Sequence, residues 1–190
     1  MRKIGILCLG LCCIGGILSA QEITEKNWMN HPAIVEIRKI YAEVEKLADA
    51  GKLETIEKDF QVYQQDEFIT MYGEWDKSAP IDPGYWLRKL IFDINDPELD
   101  FRWEATYYYE KKLLSDGTQG RPRFIFALAE SKTGARVEYR LYFDAVGKIL
   151  WENRRLVSGT NDTLPKSLPT LLMEDHKMTI YNQSHFNSGD

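Results

Sequence analysis

The chain has 190 residues, of which 44% are hydrophobic and 28% are charged, and its formal net charge at pH 7 is −5. This composition is typical of a globular protein and excludes a disordered chain of low complexity. The excess of acidic side chains disfavours nucleic acid and anionic lipid as general partners.

The first 20 residues have the composition of a secretory signal peptide. Arg2 and Lys3 precede an apolar run at 4–18, and the small residue Ala20 precedes the expected cleavage site. The apolar run is too short to span a bilayer comfortably. We therefore predict export through the inner membrane, to the periplasm or the extracellular space, and no stable membrane span after residues 1–20 are removed.

The three cysteines all lie inside this leader, at Cys8, Cys12 and Cys13. They leave open a lipoprotein or an uncleaved anchor, although a lipid-attachment cysteine normally follows a small residue and Cys8 and Cys12 follow leucines. Cleavage would leave 170 residues, no cysteine and a net charge of −7. Disulfides, thiol catalysis and zinc–thiolate sites would then be excluded, and the hydrophobic core would hold the domain together.

An amphipathic helix is predicted at the start of the exported part. Pro32 suits a first helical position with Asn30 or His31 as the cap, and Gly51 suits a left-handed C-terminal cap. Apolar residues recur at spacings of three and four, at Ile34, Ile37, Tyr41, Val44 and Ala48. This stripe indicates a helix packed on a sheet, and the alternative is a helix that binds a partner.

Beyond Gly51 the hydrophobic period changes from about 3.6 to about 2, which indicates strands. Alternating or apolar runs occur at 56–62, 68–72, 86–94, 101–109, 124–128, 137–143 and 149–154. Glycine-containing turns between successive runs predict an antiparallel meander. The predicted fold class is α+β, with one N-terminal amphipathic helix packed on a curved antiparallel β-meander of six to seven strands. We expect one domain at 21–157 and a loosely ordered polar tail at 158–190.

The most strongly patterned stretch, VEYRLYFDAVGKILWENRRL at 137–156, reads as a β-hairpin. Asp144 opens the turn, where its carboxylate can bond nearby backbone, and Gly147 closes it, where a positive φ is needed. The structural demands of a hairpin account for the whole stretch without a functional motif.

Three segments, YYYE, RFIFAL and RLYFDAVGKILWEN, together resemble a group of small exported bacterial proteins of unknown function. In that group a helix is followed by strands that end in a Y-F-D-x-x-G-K hairpin with a Trp-Glu pair beyond it. The resemblance covers the helix and the last three or four strands, and it does not extend to residues 54–100. It implies export from a bacterial cell and an α+β fold, and it implies no activity and no catalytic residue.

The sequence lacks the usual signatures of cofactor binding and catalysis. It has no G-x-x-x-x-G-K-[ST] loop, no G-x-G-x-x-G and no G-x-S-x-G, so no cofactor and no catalytic residue are predicted. The histidines His31, His176 and His185 have no metal-ligand spacing, so no metal site is predicted either.

Charged residues of opposite sign share one predicted sheet face by strand parity. They are Glu104, Glu110, Glu138 and Glu152, with Arg102, Arg136, Arg140 and Arg154. Two carboxylates about 5–10 Å apart across a cleft would suit a glycosidase, and clustered arginines would suit an anion. The alternative is cross-strand charge pairing on a solvated face.

Five large aromatic residues are the candidate ligand-binding set, because their parity is consistent with one shared face. They are Trp86, Trp103, Tyr107, Tyr139 and Trp151. In an open groove they would stack on sugars or hold an apolar ligand, whereas under the helix they would be core. A single helix spans about 30 Å, so part of a wide sheet face could stay uncovered.

Two classes of function follow from these observations. The first is an exported, non-catalytic binding or accessory protein of the cell envelope, whose partner is an unknown small ligand or an envelope protein. The second is a carboxylate-dependent hydrolase built on a β scaffold.

Overall fold

The computed structural model describes residues 22–62, 65–76, 85–95, 101–115, 119–159 and 164–166. The predicted signal peptide and most of the predicted tail lie outside these residues. A single-turn 3₁₀ helix at Trp28–Asn30 precedes helix α1 at Pro32–Asp49. The strands are β1 Glu54–Val62, β2 Gln65–Trp75, β3 Tyr85–Asn95, β4 Phe101–Tyr109, β5 Pro122–Ser131, β6 Arg136–Phe143 and β7 Ile149–Ser158.

The seven strands form one sheet in which spatial order follows sequence order from β1 to β7. Each neighbouring pair is antiparallel, as short connections require. The predicted α+β class, with one N-terminal helix on an antiparallel meander, is confirmed. Among the described residues, no helix is both long enough and apolar enough to cross a membrane.

Local signals set the ends of the helix as predicted. His31 is the N-cap, and its Nδ1 accepts a hydrogen bond from the backbone N–H of Ala33 at 3.3 Å. At the other end Gly51 has a φ of 62°, and the N–H of Lys52 donates to the carbonyl of Leu47 at 2.9 Å. These bonds satisfy backbone groups that a helix end would otherwise leave unpaired.

The turn between β6 and β7 is also as predicted. Asp144 Oδ1 accepts from the backbone N–H groups of Val146 at 3.0 Å and Lys148 at 2.8 Å. Gly147 has a φ of 85°, which favours glycine over other residues.

The sheet buries side chains on both of its faces, against different partners. On the far face, which points away from α1, a continuous cluster extends from β2 to β6. On the helix-side face, Tyr108, Phe124 and Tyr142 are buried with Ile34 and Ile37 of α1. The two faces therefore do not divide into one aromatic and one solvated face, because the centre of the sheet is apolar on both sides.

The far face is packed by large rings that lean over small residues. Ala127 and Ala129 lie on β5 between Trp103 of β4 and Tyr139 of β6. The two rings approach to 5.2 Å between centroids although their strands are two positions apart. Leu164 packs into the same cluster and is 5% exposed.

The chain beyond β7 is tied to this face by Arg154. Its Nε donates to the carbonyl of Pro165 at 2.9 Å, and its guanidinium lies 5.6 Å from the ring centroid of Tyr139. The hydroxyl of Tyr139 donates to the same carbonyl of Pro165. Residues 164–166 therefore lie against the far face.

Candidate functional site: a groove between the helix and the sheet

The strand registers arrange the helix-side face into three rows that run across the strands from β2 to β7. Row 1 contains Tyr72, Lys89, Tyr108, Phe124, Tyr142 and Trp151. Row 2 contains Thr70, Ile91, Thr106, Phe126, Arg140 and Asn153. Row 3 contains Phe68, Asp93, Glu104, Leu128, Glu138 and Arg155. The rows change from mainly aromatic to mainly charged.

The helical segment, which comprises the 3₁₀ turn and α1, crosses the strands over row 1. Near its C-terminal end, Glu45 contacts Lys89 of β3 and Tyr108 of β4. One turn earlier, Tyr41 packs edge-on against Tyr108 at 5.0 Å between ring centroids. In the 3₁₀ turn, Trp28 stacks on Trp151 of β7 at 6.2 Å. The helical segment therefore buries row 1 and leaves rows 2 and 3 beside it.

A groove of about 530 Å³ lies between this segment and the three rows. Its lining residues are Trp28, Met29, Arg38, Tyr41, Glu45, Lys89, Glu104, Thr106, Tyr108, Phe124, Phe126, Glu138, Arg140 and Tyr142. Aromatic side chains dominate the helix end and charged side chains the row 3 end. The helix end also contains Arg38, Glu45 and Lys89, so charged side chains line the groove at both ends.

At the helix end, one carboxylate is already bound by two donors. Glu45 Oε1 accepts from the hydroxyl of Tyr108 at 2.6 Å and lies 2.8 Å from Lys89 Nζ. The ammonium of Lys89 also lies 5.5 Å from the ring centroid of Tyr72 and 5.7 Å from that of Tyr108. Lys89 is therefore already paired with groups of this chain.

At the other end, a second carboxylate is held between two arginines. Glu138 Oε2 accepts from Arg140 Nη2 at 3.0 Å and from Arg155 Nη2 at 2.9 Å. The guanidinium of Arg140 lies 5.9 Å from the ring centroid of Phe126, on the floor of the groove. Glu104 lies on the same row as Glu138, so two carboxylates accompany the two guanidinium groups at this end.

Two further charged groups line the groove without an ion pair among the described residues. Arg38 of α1 makes only a long contact, with its Nη1 3.5 Å from the carbonyl oxygen of Met29. Glu104 on row 3 is exposed. Both groups are therefore available to a ligand.

The tyrosines of the groove respond to burial and to these charges. Burial raises the pKa of Tyr142, and Arg140 and Arg38 both oppose that rise. The pKa of Tyr108 is also raised, first by burial and then by its hydrogen bond to Glu45. The hydroxyl of Tyr142 thus lies within electrostatic reach of two guanidinium groups.

The five aromatic residues predicted to bind a ligand do not form one open surface. Trp103, Tyr107 and Tyr139 share the far face, where each is at most 2% exposed. Their packing is that of core side chains.

The expectation of a shared face is wrong for the other two. Trp151 pairs with Tyr142 on the helix-side face. A β-bulge opposite Tyr72 and Gly73 inserts Arg88 into β3, so Trp86 no longer follows the parity of the strand. Trp86 is buried near Lys111, whose Nζ lies 5.8 Å from its ring centroid.

The charged residues predicted to share one sheet face do not all lie together in the structure. Glu104, Glu138 and Arg140 meet at the groove, whereas Arg102 pairs with Asp93 and Arg136 with Glu130 outside it. Glu110 pairs with Arg123 beyond the end of β4. Glu152 lies opposite Leu141 and Arg154 opposite Tyr139, so both lie on the far face.

The sequence analysis did not identify five residues that line the groove, namely Arg38, Lys89, Tyr108, Phe126 and Tyr142. The consecutive tyrosines at 107–109 are the signal that could have found part of it. Three aromatic residues in a row on one strand require both faces of that strand to be covered.

The described residues contain no group of three or more His, Cys, Asp or Glu side chains arranged to hold a metal ion. No protein-family model matches the sequence, and neither a curated protein nor a solved structure is significantly similar to it.

Proposed function

We propose that this chain is an exported, non-catalytic binding protein of the cell envelope that takes a small ligand in the groove between α1 and the sheet. The observation that carries the proposal is the groove itself, at about 530 Å³. Ligand pockets typically measure about 300–1,000 Å³ and combine apolar walls with a few polar groups. The leader-like residues 1–20 support the export part of the proposal.

The groove suits a ligand with one apolar end and one polar end. Phe126 and Tyr41 offer partly exposed ring surface near the helix, and Arg38 and Glu104 offer charged groups without an ion pair in the described part of the chain. Such a ligand would bury its apolar end on the rings while its polar end is hydrogen-bonded.

A thermal-unfolding screen tests this proposal. The protein is produced with its leader, so that the host cell sets the N-terminus, and is heated with oligosaccharides, fatty acids, other lipids, peptides and divalent metals. A ligand at 100 times its dissociation constant stabilises the folded state by about 2.7 kcal/mol. For a domain of this size the expected rise in Tm is roughly 5–10 °C.

Two variants on the same strand then locate the site. Phe126→Ala removes a ring from the groove floor, whereas Leu128→Ala changes the next residue on the same face, which does not line the groove. We expect Phe126→Ala to reduce the ligand-induced shift and Leu128→Ala to preserve it. A flat screen, or a shift that Phe126→Ala leaves intact, would contradict the proposal.

The carboxylate-dependent hydrolase remains as a second candidate because Glu104 and Glu138 flank Leu128 on neighbouring strands. Two strand spacings separate their Cα atoms by roughly 9–10 Å, and inverting glycosidases require about 6.5–9.5 Å between the carboxyl groups themselves. However, Arg140 and Arg155 both pair with Glu138, so its carboxyl oxygen is already engaged by two donors rather than free to contact a substrate. The hydrolase requires that Glu104→Gln abolishes turnover of a sugar substrate while the protein stays folded.

A further inference from the structure

Three side chains that line the groove can donate to an anion, namely Arg38, Arg140 and Tyr142, and the region they line is called the seat. Arg38 reaches it from the helix, and Tyr142 and Arg140 reach it from rows 1 and 2 of the same strand. Tyr142 and Arg140 are two residues apart on one face, which places their Cα atoms about 7 Å apart along the strand. The three side chains thus approach one region from two sides.

We propose that the ligand of the groove is an amphipathic anion whose carboxylate or phosphate head binds Arg38, Arg140 and the hydroxyl of Tyr142. Its apolar part lies on Phe126 and Tyr41. This inference rests on the proposed binding function and adds the chemical class of the ligand.

The carboxylates of the groove are either already paired or lie on a more distant strand than the seat. Glu45 is taken by Lys89 and Tyr108, and Glu138 is shared between Arg140 and Arg155. Glu104 lies on β4, two strands away from Arg140. Arg38 therefore has no ion pair among the described residues, and Glu104, the groove carboxylate without one, lies on a strand further from the seat.

The three side chains of the seat also have hydrogen-bond donors to spare. Arg140 uses Nη2 for Glu138, so its remaining N–H groups can donate to a ligand. Arg38 has only its long contact to Met29, and the hydroxyl of Tyr142 makes no hydrogen bond among the described residues. Guanidinium groups are well suited to carboxylate and phosphate oxygens because they donate in a planar fork.

The electrostatic environment of Tyr142 also favours an anion. Both Arg140 and Arg38 oppose the rise in the pKa of Tyr142 that burial causes, so both favour negative charge at that hydroxyl. A bound anion would experience the same attraction. Tyr142 is buried, so a charged contact at its hydroxyl is less screened by water than one on the open surface.

A matched series of ligands tests the inference. Phenylbutyrate, phenylbutyramide and phenylbutylamine share a ring and a chain and differ in the charge of the head, and phenyl phosphate supplies the second kind of anion. Binding to the purified chain is measured by calorimetry. We expect at least one of the two anions to bind at least about tenfold more tightly than the amide and the amine, since hydrogen bonds to charged groups change affinity by roughly that factor or more.

Variants then identify the seat. Arg38→Gln and Tyr142→Phe should each weaken the binding of the anion, whereas Lys39→Gln, the neighbouring exposed charge on α1, should not. Arg38 is exposed, so its loss should leave the fold intact. An anion that binds no better than the amide, or that is insensitive to Arg38→Gln, overturns the inference.

The outcomes separate this inference from the proposed function. If no anion binds but another ligand class stabilises the protein through Phe126, the binding function stands and the anionic class is wrong. If neither the series nor the broad screen gives a ligand, both are wrong.

Discussion

The contact between Tyr108 and Glu45 allows a quantitative test of how α1 is held on the sheet. The hydroxyl of Tyr108 donates to Glu45 Oε1 at 2.6 Å, and Lys89 Nζ lies 2.8 Å from the same oxygen. Tyr108 is 5% exposed and contributes its ring to the cluster under the helix. The substitution Tyr108→Phe removes only the hydroxyl, so it isolates the hydrogen bond from the packing of the ring.

The expected loss can be estimated from the environment of the acceptor. A hydrogen bond to a charged group contributes about 1.5–3 kcal/mol to stability. Glu45 keeps its ion pair with Lys89, and its side chain is 28% exposed, so water can replace part of the lost contact. We therefore expect Tyr108→Phe to lower the free energy of unfolding by about 1–2 kcal/mol. This corresponds to a fall in Tm of roughly 2–8 °C.

Urea unfolding followed by tryptophan fluorescence measures this change, with the midpoint shifted and the slope m unchanged. Tyr41→Phe is the matched control, because Tyr41 packs on the same ring, is 40% exposed and forms no hydrogen bond through its hydroxyl in the described part of the chain. The control should change stability by less than about 0.5 kcal/mol. Equal losses in the two variants would refute the role assigned to Glu45.

Three further predictions concern the rest of the fold. Burial raises the pKa of four tyrosines, Tyr85, Tyr108, Tyr109 and Tyr142. Their contribution to stability is complete below the unfolded pKa of about 10. As the pH rises above that value, the free energy of unfolding falls by up to about 1.4 kcal/mol per pH unit for each tyrosine. Urea midpoints measured across this pH range should show the decline. Gly73→Ala should cost about 1–3 kcal/mol in urea unfolding, because the added Cβ would lie 2.6 Å from the carbonyl oxygen of Trp86, whereas Gly120→Ala meets no atom closer than 3.7 Å and should be tolerated. Ile37→Ala should cost about 2–5 kcal/mol of unfolding free energy because Ile37 is fully buried, and an equal loss on Val35→Ala at the exposed face of α1 would contradict that assignment.

The elements whose signals are local could be predicted from the sequence. Pro32 and Gly51 mark the two ends of α1, and Asp144 and Gly147 mark the turn between β6 and β7. Caps and tight turns depend on the backbone preferences of one or two residues, so their chemistry can be read without knowledge of the fold.

The face that the helix covers could not be predicted in the same way. Alternation identifies a buried face only if the opposite face is polar. In the middle of the sheet both faces are apolar, as Tyr107 and Tyr108 on β4 and Leu141 and Tyr142 on β6 illustrate. The alternation of residues there is equally compatible with a helix on either face of the sheet. The contacts that α1 makes determine which face it covers.

The sheet face on which Trp86 lies could not be predicted for a different reason, which is a β-bulge in β3. Leu87 and Leu90 belong to one cluster, although residues three apart on a regular strand point to opposite faces. The extra residue of the β-bulge, Arg88, restores them to the same face and removes Trp86 from it. Arg88 is 3% exposed and is bound by Glu43 of α1 and Glu74 of β2, so a long-range ion-pair network accompanies the bulge.

The groove itself follows from the dimensions of the elements. Helix α1 has 18 residues and so is about 27 Å long, which nearly matches the width of about 29 Å across seven strands. Its diameter of about 10 Å, however, covers little more than one row, since successive rows are about 7 Å apart along the strands. One crossing helix can therefore bury row 1 but not rows 2 and 3. Beside row 1, row 2 contributes Phe126 and Arg140 and row 3 contributes Glu104 and Glu138, so a groove lined by both apolar and charged side chains forms at that boundary.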